Sequence, residues 1–151
     1  MASPSQRPAA HVLIGLVLAA VALLVNAVHA ADAAGQCEAA DLGCAIFNGQ
    51  HALAAQLRGD DRTLPASTTR CINCHTQTDP AGAFAPPLTR DYLLDAVNRR
   101  GGPPSHYDLA SFCRVLKEGV DPAGVVLRKS MPHYQISDAE CTALWRFITN
   151  R

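Results

Sequence analysis

Polar and apolar positions divide the chain into one long apolar run near its start and several short periodic stretches after it. Val12 to Val25 is almost wholly apolar, a polar segment with the single basic residue Arg7 precedes it, and Val28-His29-Ala30 follows. The run is short for a bilayer span, and the small residues after it fit a signal-peptidase site. Residues 1–30 are therefore expected to be a signal peptide cut after Ala30. The competing reading is an uncleaved anchor, the one case in which the chain would sit on a membrane. Lipidation is disfavoured, because the first cysteine, Cys37, lies well beyond the apolar run.

Residues 31–151 then form one domain. Asp41 is a good N-cap for a helix with Leu42, Ala45 and Ile46 on one face, stopping near Asn48-Gly49. Residues 50–70 contain a turn at Ala52 to Leu57, then Gly59-Asp60-Asp61, Pro65 and Ser67-Thr68-Thr69, and read as an ordered loop. Tyr92 to Asn98 carries Leu93, Leu94 and Val97 at helical spacing and meets the breakers Gly101-Gly102-Pro103-Pro104. Asp108 caps a helix with Leu109, Phe112, Cys113 and Leu116 inward, closed by Gly119. Ser137-Asp138-Ala139-Glu140 is a capping box, followed by Cys141, Leu144, Trp145 and Ile148 at i, i+3, i+4, i+7. No alternation persists long enough to predict a strand, and neither a repeat nor a heptad is present. The expected fold class is all-α. Helices this short bury too little alone, so the core needs a further apolar component.

Composition changes this picture in two respects. The 151 residues carry 13 Lys+Arg against 13 Asp+Glu, and no basic run occurs, which excludes the electrostatic footprint of a nucleic-acid binder. The six cysteines, once exported, enter a compartment that permits disulfides.

Two of those cysteines belong to Cys71-Ile72-Asn73-Cys74-His75, the C-x-x-C-H sequence of haem attachment. Thiols three positions apart on a helical turn can each add to one haem vinyl group, and the adjacent His is then held as the proximal iron ligand. A redox dithiol lacks its βαβ context here, and half of a zinc site lacks its matching pair. The expected cofactor is one covalent haem c, on Cys71, Cys74 and His75. Of the two methionines, Met1 falls in the signal peptide, which leaves Met131 in Lys129-Ser130-Met131-Pro132-His133-Tyr134 as the thioether ligand. His133, His106 and His51 are the rivals, and His133 is the nearest.

The order of these features resembles the class I monohaem cytochromes c: Gly43-x-x-x-Phe47, Cys71-x-x-Cys74-His75, Met131-Pro132, and Leu144-Trp145-Arg146-Phe147-Ile148. The resemblance implies a cytochrome c fold over residues 31–151, with short helices packed around the haem. It implies a first and a last helix crossing at Gly43, with Trp145 or Phe147 close to it. It also implies a proline carbonyl, from Pro86 or Pro87, on the proximal imidazole. Two features depart from the family. Residues 48–70 form an insertion loop before the haem motif. Four further cysteines, Cys37, Cys44, Cys113 and Cys141, allow three pairings. A Cys113–Cys141 bridge would flank the Met131 loop, whereas Cys37 and Cys44 could bridge only if the chain folds back before Asp41.

The expected function is that of a periplasmic carrier passing single electrons between redox partner proteins such as a dehydrogenase, an oxidase or a reductase, without enzymatic activity of its own. Two alternatives stand beside it: a haem enzyme or gas sensor with a labile distal ligand, and the haem subunit of a larger dehydrogenase.

Overall fold

The computed structural model describes residues 37–75 and 85–150, and the expected signal peptide lies outside them. Among the described residues no helix is long and apolar enough to cross a membrane.

Helix α1 spans Leu42–Asn48, capped by the Asp41 carboxylate, which accepts from the Cys44 N–H at 2.8 Å. After it come strand β1 (Ala54–Gln56), 3₁₀ turns at Ala66–Thr68 and Cys71–Asn73, and helix α2 (Arg90–Leu94). Strands β2 (Val97–Asn98) and β3 (Pro104–Ser105) lead into α3 (Leu109–Glu118), then β4 (His133–Gln135) and α4 (Asp138–Thr149). Strand β1 pairs antiparallel with β4, Ala55 opposite Tyr134, and β2 pairs antiparallel with β3. The all-α expectation is thus corrected: the described residues form four helices and two small antiparallel sheets, and an all-helical cytochrome c fold does not describe them. The reason is a long-range pairing. Residues 54–56 lie in the segment expected to be a loop, and their backbone polar groups are satisfied by a partner strand far along the chain.

Helix α2 also departs from expectation. It ends at Leu94, short of the expected Asn98, and Asp95 is already extended. Arg99, only 2% exposed, lies between the rings of Tyr92 and Tyr107, at 4.9 and 5.0 Å from their centres. Its guanidinium donates to the carbonyls of Tyr92, Asp95, Val97 and Ser105. A continued helix would have used the first of those carbonyls itself.

The capping box at Ser137 forms as the sequence predicts, and Asp108, expected as an N-cap, forms a second one with Ser111. Asp108 and Ser111 cap α3, Ser137 and Glu140 cap α4, and Gly119 closes α3 in the left-handed conformation. Leu109 is exposed, contrary to its expected inward position, while Phe112 and Leu116 are buried. Helices α1 and α4 cross at Gly43, where a Cβ would lie 2.2 Å from the Ala143 carbonyl oxygen and 2.6 Å from the Phe147 Cβ. Phe147 is thus the aromatic at the crossing, with its ring 5.6 Å from that of Phe47. Trp145 stacks on Phe112 instead, at 5.2 Å. A disulfide joins Cys113 of α3 to Cys141 of α4, and Cys37 and Cys44 are disulfide-bonded as well. Two disulfides fit an oxidising compartment of the kind export reaches.

Candidate functional site

Cys71, Cys74, His75 and Met131, scattered over sixty residues of sequence, line one cavity of about 390 Å³. Its proximal side is the 3₁₀ turn Cys71–Asn73, which presents the two cysteines and ends with the His75 N–H donating to the Cys71 carbonyl at 2.9 Å. Cys71 and Cys74 are thiols, while the other four cysteines are in disulfides. The loop Arg128 to Pro132, which carries Met131, contributes to the same lining. Leu88, Leu93, Phe112, Val115, Leu116 and Leu127 supply apolar walls.

His75 is buried, and its Nδ1–H donates to the Pro86 carbonyl at 2.8 Å. A carbonyl only accepts, so this bond sets the tautomer and leaves the Nε2 lone pair as the ring's free ligand site. Burial pulls the imidazole pKa below its ordinary value, and the Pro86 bond opposes that shift in part. The ring is therefore held neutral, the form that binds a metal.

The rival distal ligands are placed elsewhere. His133 lies on β4, on the face opposite the cavity-lining Tyr134, with its imidazole packed against Gly119. His51 bonds to Glu140 at 2.7 Å, and His106 is exposed outside the cavity lining.

Several site residues carry no signal in the sequence. Tyr134 is buried at the cavity wall and donates its hydroxyl to the Thr69 carbonyl at 2.8 Å, tying the approach to the haem motif to the strand after Met131. Burial raises its pKa, and the nearby Cys71 and Cys74 add to the rise. Tyr92, Tyr107 and Arg100 form a polar edge, with Arg100 reaching the fully buried Asp121 carboxylate at 3.5 Å. Burial pushes the Tyr107 hydroxyl up to about 12, which keeps it a proton donor. Three arginines, Arg70, Arg100 and Arg128, line the cavity, and no carboxylate side chain of the described residues does.

These residues fit a covalently attached haem. The walls suit an apolar macrocycle, the two thiols suit its vinyl groups, and the edge rich in Arg and Tyr suits its carboxylates. A zinc site fits less well, because among the described residues no three His, Cys, Asp or Glu side chains converge as a metal-binding group. No family model, curated protein or solved structure matches the chain.

Proposed function

We propose that this chain is an exported, periplasmic electron carrier that holds one c-type haem through Cys71 and Cys74 and passes single electrons between partner proteins. The observation that carries the proposal is His75, its Nδ1–H held by the Pro86 carbonyl, in the same cavity as Met131 and the two thiols. When bound, the haem supplies a ferric/ferrous couple. His75 would be the proximal ligand and Met131 the distal one, a pairing that raises the reduction potential relative to two imidazoles. The apolar walls would shield a bound haem from water and limit rearrangement around it when its charge changes. Arg100, Tyr92 and Tyr107 would receive the haem carboxylates. In this reading His75 and Met131 would hold the iron, and the residues around them would bind and orient the cofactor.

Optical spectroscopy of the purified holoprotein tests this. The expected result is a near-infrared thioether-to-iron band in the ferric protein and only slow carbon monoxide uptake by the ferrous protein at neutral pH. Ready carbon monoxide binding would favour an enzyme or gas sensor with a labile distal ligand.

A further inference from the structure

Residues 48–70 lengthen the chain between α1 and the haem motif, and of this segment Thr68 and Arg70 are the members that line the cavity. Another part of it pairs with the strand that follows the Met131 loop. Strand β1 pairs with β4 so that Gln56 faces His133, two residues beyond Met131. Ala55, fully buried, faces Tyr134, and on its other edge its carbonyl accepts from the Leu64 N–H at 2.8 Å. The strand is therefore held on both edges. At the start of the segment, His51 bonds to Glu140, whose other carboxylate oxygen accepts from the Ser137 N–H and hydroxyl. Both ends of β4 are thereby tied to the inserted segment, one through the ladder and one through the cap of the helix that follows.

The loop itself is largely exposed, with Met131 packed against the hydrophobic core. Arg128, Lys129 and Ser130 are exposed, and Met131 is half-buried. Upstream, the Leu127 N–H donates to the Gly119 carbonyl at 2.8 Å, and the Met131 N–H donates to the Arg128 carbonyl at 3.0 Å. The loop is a short arch between two fixed ends, Gly119 on one side and β1 on the other.

We infer that residues 48–70 are a strap that positions the distal ligand, with the β1 pairing of Gln56 keeping Met131 turned into the cavity. The inference rests on the proposed haem ligation. Releasing β1 frees the C-terminal end of the arch, so the thioether leaves the iron more often while the cysteines and His75 stay in place. Gln56 is a positioning residue and touches no cofactor.

The test uses the full-length haem-loaded protein carrying Gln56→Pro, which removes an N–H from the strand and fixes its φ. The variant is expected to keep its covalent haem and to take up carbon monoxide about tenfold faster than the native protein, one step of 1.4 kcal/mol in the loop-opening equilibrium. It is also expected to show a weaker thioether band. Gly43→Ala weakens the helix crossing away from the loop, and as the control it leaves both readouts at native values. A native carbon monoxide rate and a native band in Gln56→Pro would overturn the strap. A native protein with no thioether band would overturn the ligation itself, and the strap with it. If Gln56→Pro does not fold, hydrogen exchange of the native holoprotein decides: amides of 54–56 and 133–135 are expected to open as one unit. Exchange of 54–56 far ahead of 133–135 would contradict the inference.

Discussion

His75 donates its Nδ1–H to the carbonyl of Pro86 across 2.8 Å, and this bond decides which ring nitrogen faces the cavity. The partner is a backbone group, so the bond survives any side-chain change at position 86 that keeps the chain path. Pro86→Ala is therefore expected to retain His75 ligation and a low-spin spectrum. A high-spin ferric spectrum in that variant would show that the proline ring, and not its carbonyl, sets the imidazole.

The distal side has a sharper pair of variants. His133 packs on Gly119 and points away from the cavity that Met131 lines. His133→Ala is expected to keep the near-infrared thioether band, and Met131→Ala to lose it. The reverse pattern would reinstate His133 as the ligand.

Gly43 is required by close approach. Alanine there gains helix propensity of about 1 kcal/mol, but its Cβ would meet the Ala143 backbone oxygen at 2.2 Å. Since the obstacle is backbone, the helices must separate, and overpacking of this kind costs about 1–3 kcal/mol. Urea unfolding of Gly43→Ala is expected to show a net loss in that range. Unchanged or increased stability would mean that the crossing is looser than the structure has it.

Cys113 and Cys141 close a loop with a sequence separation of 28 residues and join α3 to α4 beside the cavity wall. Loop entropy assigns such a bridge about 3–4 kcal/mol. The double variant Cys113→Ala/Cys141→Ala is expected to lose stability of that order in denaturant titrations. A loss below about 1 kcal/mol would place the joining of these helices in packing rather than in the cross-link.

Glu140 serves two partners at once, the Ser137 cap and His51. The Ser137 hydrogen bonds foremost, with His51 adding to them, lower its pKa from 4.5 to about 2. The depressed carboxylate stabilises the fold fully above pH 4.5. The contribution is lost as pH falls toward 2, because the unfolded chain takes up the proton first. Glu140→Gln keeps the form of the capping box but does not titrate, so its stability is expected to fall less steeply than that of the native protein over this window. Parallel acid profiles would contradict the assignment.

What could be read from the sequence was what local chemistry specifies. Asp108 and Ser137 announce their helices because an N-cap needs only a side chain three residues from its N–H. Cys71, Cys74 and His75 announce their site because the motif is contiguous. The expected Tyr92 to Asn98 helix failed because its periodicity was real but carbonyls of Tyr92, Asp95 and Val97 go to the guanidinium of Arg99, a charged residue just beyond it whose burial the sequence pattern does not mark. The β1–β4 pairing was hidden because each strand is three residues long, too short for alternation to register, and its partner is distant. Tyr134 and the Arg100 edge joined the site for the same reason: they reach it through the fold, and nothing in their own neighbourhood signals it.

The central claim is that Cys71 and Cys74 carry a haem, and intact-mass spectrometry of the denatured protein tests it most directly. After expression with the export and haem-attachment machinery, the account predicts a chain heavier by one haem that denaturation does not release, with neither Cys71 nor Cys74 open to alkylation. A chain of bare polypeptide mass, with both thiols alkylated, would contradict it.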